Sequence, residues 1–239
     1  MRIYVLLICM GWIFSSCNAE NNDTSEKSES SQNKTESTHP YSSYFYPFDT
    51  IPRIYQYRDA VHGFSEEFHR VYGITDGWGD HIVIEKYESN GRLKEVYNYN
   101  FDSLNVIDHV VVNSKGEKEK ATLYKNALLP KNIGDSCEFA SKFSGGDSTV
   151  MLMEWFRKAV SIETRDVMSK QKECLTLDDT WRYTLLNPFT REENESILKG
   201  MHSYAKGIGL VEWMDENKKV HWVLEEIISQ KKWIKLISR

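Results

Sequence analysis

Apolar and polar side chains alternate along several segments of the chain from residue 53 onward, and this pattern predicts β-strands. The clearest case is residues 92–101, which follow residues 81–88 across Asn90-Gly91. An Asn-Gly pair between two β-rich runs is a strong hairpin signal. One face of the second run carries Leu93, Glu95, Tyr97, Tyr99 and Phe101. The sequence therefore predicts a long antiparallel hairpin, with Tyr97 and Tyr99 as candidates for the core or for a ligand-binding face.

Turn residues repeat this arrangement along the chain. His62-Gly63 and Lys115-Gly116 separate further runs rich in Tyr, Phe and Val, and another turn is predicted at residues 145–147. Strand and helix patterns do not alternate, which argues against a βαβ fold. We expect a mainly β protein, with a curved antiparallel sheet of long hairpins, half-barrel or barrel-like, and at most one or two short helices. The pattern leaves open whether the sheet forms an open groove or a closed sandwich.

Two segments fit a helix as well as a strand. Residues 149–160 place bulky side chains on a helical stripe, but the same residues are typical of a strand. In residues 190–204, Thr190 and Glu193 have the spacing of a capping box, whereas Gly200 interrupts the apolar stripe. We expect a short helix near Thr190 that gives way to a strand.

An aromatic-rich segment precedes the first predicted strand. Pro47 and Pro52 exclude a helix through its middle. Two interpretations compete: a platform for a sugar or an apolar ligand, and a lead-in segment held across the sheet by its rings. The burial that large rings provide favours the structural interpretation. The aromatic residues are Tyr41, Tyr44, Phe45, Tyr46, Phe48, Tyr55 and Tyr57.

The stretch YAKGIGLVEW, residues 204–213, is the most distinctive part of the predicted domain. Its two glycines, Gly207 and Gly209, predict a structural turn. The stretch resembles the closing strands of uncharacterised β-rich envelope proteins and lipoproteins of Bacteroidota, some with a half-barrel reminiscent of lipoprotein carriers. This resemblance implies a curved sheet with a concave face and no catalytic residue. The matching residues are Tyr204, Ala205, Gly207, Ile208, Gly209, Leu210 and Val211.

Three closing strands are expected at the C-terminal end of the chain. Residues 210–214 are expected to pair with residues 220–224, and a last strand is expected over residues 231–238. Each carries one tryptophan, and we expect the three to form one cluster, in the core or on a ligand-facing surface. These residues are Trp213, Trp222 and Trp233.

The first residues have the order of a secretory signal peptide: Arg2, an apolar run over residues 3–14, and two small residues before Cys17. The run is shorter than the ~20 residues of a membrane-spanning helix. Phe-Ser-Ser-Cys at residues 14–17 resembles the lipobox of bacterial lipoproteins, which implies cleavage after residue 16 and a lipidated Cys17. We expect an envelope protein anchored to a membrane by its N-terminal lipid. An outer-membrane position facing the periplasm is favoured over the cell surface.

Residues 18–40 are almost all polar, and such a segment buries too little apolar surface to fold alone. The expected organisation is a signal peptide over residues 1–16, the lipidated cysteine and a disordered tether over residues 17–40, and one β-rich domain over residues 41–239. Hydrophobic residues form 40% of the chain, which is enough for a core in that domain.

Charge and cysteine content argue against two kinds of ligand, nucleic acid and zinc. The formal net charge is −5 and no basic stripe is present, which argues against binding to nucleic acid. Cys137 and Cys174 are the cysteines left in the predicted domain, either bonded to each other in an oxidising envelope or buried as separate thiols. Their spacing does not suggest zinc.

The chain lacks the motifs that commonly mark an enzyme. It contains no Gly-x-Ser-x-Gly elbow, no phosphate-binding loop and no Cys-x-x-Cys pair, and no histidines have metal-pair spacing. We therefore expect no cofactor, no metal and no catalytic residue, with an envelope hydrolase lacking a recognisable motif as a minor alternative. Two functions remain: a module that binds an apolar or saccharide ligand on a concave face, and a structural or assembly lipoprotein that binds an envelope protein.

Overall fold

Thirteen strands form one antiparallel sheet, nearly closed into a barrel, within the residues that the computed structural model describes: 37–63, 66–113, 115–146 and 148–238. This is the mainly β, curved antiparallel fold that the sequence predicts. The predicted signal peptide, Cys17 and the tether as far as residue 36 lie outside the described residues. No helix in the described ranges has the length and apolar character needed to cross a membrane.

The strands follow one another along the chain with short connections. They are β1 (Arg53–Asp59), β2 (Glu66–Asp76), β3 (Gly79–Glu88), β4 (Leu93–Asn100), β5 (Val106–Val112), β6 (Lys118–Lys120), β7 (Thr122–Asn126), β8 (Ser136–Gly146), β9 (Thr149–Val167), β10 (Lys170–Leu186), β11 (Glu193–Ala205), β12 (Gly209–Asp215) and β13 (His221–Ser229). A 3-10 helix (Ser42–Tyr44) precedes β1, and one α-helix, α1 (Gln230–Ile237), follows β13.

The order of the strands in the sheet explains its near closure. Strands β1 and β13 pair with each other, and the two ends of the sheet are β6 and β7. A single residue, Ala121, separates β6, which pairs with β5, from β7, which pairs with β8. The Ala121 N–H donates to the carbonyl oxygen of His109 on β5 at 2.8 Å. The chain therefore joins the two sheet ends covalently at the point where hydrogen bonding between strands stops.

The hairpins predicted across His62-Gly63 and Asn90-Gly91 are confirmed, whereas the run predicted over residues 117–125 divides into β6, which pairs with β5, and β7, which pairs with β8. Strands β3 and β4 pair across Asn90-Gly91, and Tyr97 and Tyr99 both face the interior. The register shifts between Lys86 and Tyr87, so that Lys94 has no partner on β3. Such a bulge bends the strand and changes where the extra side chain points.

The aromatic segment before β1 closes one end of the barrel. Tyr44, Phe45 and Tyr46 are buried in the main core. The segment hydrogen-bonds to strand ends around that rim, for example from the Gly207 N–H to the Ser43 carbonyl oxygen at 2.7 Å. The structural interpretation of these aromatic residues is therefore confirmed. We call this end, with the turns after β2, β4, β9 and β11, the closed end, and the opposite end the mouth.

The last predicted strand is wrong, because residues 230–237 form α1. The Ser229 hydroxyl accepts a hydrogen bond from the Lys232 N–H and caps the helix. Trp233 and Ile237, four residues apart, share the helix face that packs on the outer side of the sheet against Phe68. Helical spacing and the cap outweighed the β-rich composition.

The expected helix near Thr190 is also absent from the described residues. Residues 187–192 form a turn in which Asn187 Oδ1 accepts hydrogen bonds from the Phe189 and Thr190 N–H groups. Thr190 donates its hydroxyl proton to Glu192 and does not cap a helix. Strand β11 then starts at Glu193, and the ambiguous residues 149–160 lie in β9. Pairing along the length of β10 decided both segments in favour of strands.

Candidate functional site

A cavity of about 360 Å³ opens between the strands at the mouth of the barrel. We call it the mouth cavity. Its wall combines aromatic and aliphatic side chains from β9 and β10 with charged side chains from β4 and the turn before it. The residues that matter most below are Arg92, Lys94, Glu95, Met153, Trp155 and Tyr183.

Strand register brings the apolar wall together. Met153 on β9 lies opposite Tyr183 on β10, and Trp155 lies two residues further along β9. Residues two apart on a strand share a face, so Met153 and Trp155 both point inward. Phe139 on β8 lies opposite Trp155, and their ring centroids are 5.5 Å apart. The aromatic wall is thus fixed by three paired strands.

Two ionic side chains of the cavity wall, Lys94 and Glu95, pair with two charged side chains behind the wall, and we call these four the polar floor. Lys86 Nζ lies 2.7 Å from Glu95 Oε1, and Lys94 Nζ lies 2.7 Å from Glu67 Oε2. Lys94 and Glu95 are neighbours on β4, and the bulge allows both to reach these interior partners. Glu95 also accepts a hydrogen bond from the Tyr97 hydroxyl at 2.9 Å. Each cation therefore has a carboxylate partner, and the group has no net charge.

This pairing sets the protonation states. Burial opposes ionisation of Glu67, but His69, Lys94 and Lys86 outweigh it and lower the pKa of Glu67 to about 2. Burial acts in the same way on Glu95, whose pKa is held well below its ordinary value by Lys86 and His109. Lys86 keeps its proton because the Glu95 and Glu67 carboxylates raise its pKa against the effect of burial. At neutral pH the floor holds charged, hydrogen-bonding groups.

A second polar cluster lies deeper in the barrel, beneath Trp155. Arg157 is fully buried and donates to both carboxylate oxygens of Asp179, at 2.8 and 3.1 Å. Asp179 also accepts a hydrogen bond from His202 Nδ1; since a carboxylate only accepts, this nitrogen carries the proton. Burial lowers the pKa of His202 to about 4, and Arg157 already balances the Asp179 charge. His202 is therefore neutral at pH 7.

Trp213 and Trp222 do face the interior, as expected. Their rings stack with centroids 5.7 Å apart, and Trp213 also stacks on His69 at 5.7 Å and on His202 at 6.3 Å. The expected cluster of three tryptophans is wrong, because Trp233 belongs to α1 and packs against the outer face of the sheet. Trp213 and Trp222 instead line the β12–β13 side of the interior.

Tyr97 and Tyr99 belong to the core. Tyr97 is 1% exposed and stacks on His109 with centroids 4.4 Å apart. Tyr99 is 4% exposed and packs against Phe45 of the lead-in segment. Neither ring forms part of the wall of the mouth cavity. Two roles were left open for these tyrosines, the core and a ligand-binding face, and the structure places both tyrosines in the core.

Gly207 and Gly209 form the β11–β12 turn at the closed end, as expected. Both have positive φ, +74° and +110°. A Cβ on Gly209 would overlap the ring of Tyr46, whereas nothing lies within 4 Å of a Cβ on Gly207. Gly209 is thus required by packing as well as by backbone conformation.

Cys137 and Cys174 are free thiols in the structure. They lie on β8 and β10, with β9 between them. Two strand spacings are ~9.5 Å, beyond the reach of a disulfide, so the fold does not support the disulfide alternative. Burial raises the pKa of Cys137 to about 11, which leaves an unreactive thiol at neutral pH.

Cys137 lines a second, larger cavity of about 750 Å³ at the closed end, between the lead-in segment and the β7–β8 loop. Its described lining contains no Phe, Tyr or Trp, and its polar groups include Asp102 and Asp135. It lacks the aromatic faces that make the mouth cavity a candidate for organic ligands.

Sequence reasoning missed Lys94, Trp155 and Tyr183 as cavity residues. A signal was present for Glu95, because the β4 alternation placed this carboxylate on the same face as Tyr97 and Tyr99. The bulge at Lys94 and the meeting of β4 with β9 and β10 across the barrel leave no local signal. Among the described residues, no three His, Cys, Asp or Glu side chains are placed to hold a metal ion.

Two crystal structures from Bacteroidales are similar to this chain. One, from Bacteroides fragilis NCTC 9343, is described as an exported protein with a YmcC-like fold; it is 16% identical over 77% of this chain and 99% of that chain, with a TM-score of 0.45. The other, from Parabacteroides distasonis ATCC 8503, is described as a lipoprotein; it is 14% identical over 81% of this chain and 100% of that chain, with a TM-score of 0.46. No family model and no curated protein matches the chain.

Proposed function

We propose that this chain is a lipid-anchored envelope protein, without enzymatic activity, that binds a short saccharide in the mouth cavity. The observation that carries the proposal is the combination of an aromatic wall, Trp155 and Tyr183, with paired charged groups such as Lys94 and Glu95 in one cavity. Its volume lies within the ~300–1,000 Å³ range of small-molecule sites. The proposed location is the outer membrane, facing the periplasm.

A saccharide fits this cavity better than an apolar ligand. Sugar hydroxyls both donate and accept, so they can hydrogen-bond to carboxylates and ammonium groups without disturbing the balance of charge. Sugar rings also present C–H faces to aromatic side chains. A long acyl chain would need an apolar channel beneath the cavity, but the buried Arg157–Asp179 pair and the rings of Phe45 and Tyr99 occupy that space.

Ligand binding is tested with the purified full-length chain. We expect native mass spectrometry to detect a co-purifying sugar, or a panel of neutral mono- and disaccharides to raise the melting temperature. Tyr183→Ala should weaken binding about fivefold, since an aromatic contact contributes ~1 kcal/mol. Tyr124→Ala is the matched control, because Tyr124 is 58% exposed on β7 and lies outside the cavity.

A co-purifying fatty acid would contradict the choice of ligand class. An intact fold with no bound mass and no thermal shift across the panel would contradict the binding function. That second result would favour a structural or assembly lipoprotein that binds an envelope protein. Equal loss of binding in Tyr124→Ala and Tyr183→Ala would also count against the mouth cavity.

The anchor is tested separately in cells. Cys17→Ser should abolish labelling by fatty-acid probes and release the protein from the membrane fraction. Unchanged membrane fractionation of Cys17→Ser would rule out the lipid anchor while leaving the binding measurements valid.

A further inference from the structure

Strand β11 has an unpaired edge beside the mouth. Its first seven residues, 193–199, pair with β10 on one side, whereas pairing with β12 starts only at Gly200. All seven are exposed. Within the described residues, the one backbone contact on the free side is from the Glu216 N–H to the Lys199 carbonyl oxygen at 2.7 Å.

That contact fixes which backbone groups face outward. Backbone groups of successive strand residues point to alternate sides. Because the Lys199 carbonyl points away from β10, the N–H and C=O groups of Ile197, Glu195 and Glu193 also point to the free edge. A row of unpaired groups of this kind is a template for another strand.

From the residues along this edge we propose that a second copy of the chain occupies it, by antiparallel β11–β11 pairing about a two-fold axis at Ser196. In this register Glu195 of each copy lies opposite Ile197 of the other, which gives about four backbone hydrogen bonds. The Glu216 contact already occupies the outward side of the Lys199 backbone, so Glu193 of each copy lies just outside the hydrogen-bonded ladder, next to the Lys199 side chain of the other, and opposite charges meet twice. A register centred on Glu195 would instead bring two carboxylates together.

Exposed apolar side chains at both ends of the edge fit the same arrangement. Phe189, in the turn before β11, is 81% exposed, and Val220, in the turn beside Lys199, is 45% exposed. An antiparallel two-fold brings the start of one edge next to the end of the other, and therefore Phe189 of one copy near Val220 of the second. Ile197 is half exposed on the edge itself. A second copy would cover apolar surface that a monomer leaves in water.

The proposal is tested by cysteine cross-linking of the full chain in its own membrane. Ser196 bonds through its backbone to β10, so across the two-fold axis it forms a non-hydrogen-bonded pair with Cα atoms ~4.5 Å apart, within disulfide reach. Under mild oxidation, Ser196→Cys should give a disulfide-linked dimer. Asn194→Cys is the matched control, since its two Cα atoms would be ~13 Å apart. The parent chain, with Cys137 and Cys174, measures the background.

Charge exchange provides a second readout that does not depend on cross-linking. In sedimentation of the purified chain, Lys199→Glu should weaken dimerisation about tenfold by placing like charges opposite each other. Combining Glu193→Lys with Lys199→Glu should restore it. Ile197→Pro should also give monomers, because it removes an outward N–H that the monomer does not use.

Each alternative outcome is decisive. Cross-linking of both cysteine variants, or of neither, would overturn the Ser196-centred pairing. A cross-link from Ser196→Cys to a different protein would overturn the second copy in favour of a foreign strand. A monomer at all concentrations in sedimentation would also overturn the proposal that a second copy occupies the edge.

Discussion

The closed end and the mouth of the barrel are built on the same strands but are filled differently. At the closed end, rings of the lead-in segment, such as Phe45 and Tyr46, pack against Tyr99 and Tyr55. At the mouth, strands of the same sheet present Lys94 and other ionic side chains around a cavity. Alternation along the strands decides only which residues point inward. The side chains that these residues contact inside the barrel decide whether that end is packed as core or left open as a site.

The two regions are linked by a chain of polar contacts. At the mouth, Glu67 accepts a hydrogen bond from His69 Nε2 at 2.8 Å. His69 Nδ1 lies 3.3 Å from the hydroxyl of Tyr46, a lead-in residue, and that hydroxyl lies 3.1 Å from the Tyr57 hydroxyl. Tyr57 donates to the Leu210 carbonyl oxygen at 2.8 Å. Packing at the closed end therefore holds groups that orient the floor of the cavity.

The largest effect is expected from removing a ring at the closed end. Phe45 is 2% exposed and touches Tyr46, Tyr99 and Tyr204. Phe45→Ala should lower the free energy of unfolding by about 3–5 kcal/mol, since it leaves a cavity in the core. Tyr183→Ala at the mouth should cost about 1 kcal/mol, because that side chain already borders open space. Urea denaturation measures both.

If Phe45→Ala and Tyr183→Ala lowered the free energy of unfolding equally, the distinction between a packed end and an open end would be wrong. A loss of saccharide binding in Phe45→Ala without loss of stability would have the same consequence. It would show that the lead-in segment acts on the site and not on the core.

Much of the fold follows from local signals. Asn90-Gly91 and the alternation of β4 fixed a hairpin, and the two glycines fixed the β11–β12 turn. Closure of the sheet did not follow, because it depends on Ala121 joining β6 to β7 and on β1 meeting β13, contacts between residues far apart in sequence. At Thr190, tertiary pairing overrode a capping-box pattern.

Less of the site was accessible from the sequence. Trp155 and Tyr183 meet the charged residues of β4 only because the barrel brings β9 and β10 across from it. The partners of Lys94 depend on a one-residue bulge, and a shift of one residue changes which face a side chain occupies. Composition indicates that aromatic residues are plentiful, but it does not show which of them border empty space.

A smaller effect is expected in the turn that holds the lead-in segment. Gly209→Ala should lower the free energy of unfolding by about 3 kcal/mol, because the new Cβ combines a left-handed φ with a clash against Tyr46. Gly207→Ala, the matched control, should cost about 1 kcal/mol, because its left-handed φ is unfavourable for alanine but the new Cβ clashes with nothing. Similar costs at both positions would show that the Tyr46 ring moves aside, and hence that the closed end is loosely packed.

The smallest effect concerns His202, which lies between the two regions, stacked on Tyr204 on one side and on Trp213 on the other. Asp179, Arg157 and Lys86 are the charged groups that act on it, and burial lowers its pKa from 6.5 to about 4. Between these values the unfolded chain binds a proton that the folded chain does not, so acidification destabilises the fold.

His202→Asn keeps an N–H close to the Nδ1 position for Asp179 but removes the titration. The stability lost between about pH 6.5 and about pH 4.5 should therefore shrink by about 2 kcal/mol. Some loss should remain, because burial also lowers the pKa of His69. Tyr183→Phe, which removes no imidazole, should give a curve parallel to the parent chain. If His202→Asn is also parallel, His202 is protonated in the folded protein, and the boundary between closed end and mouth is wet rather than packed.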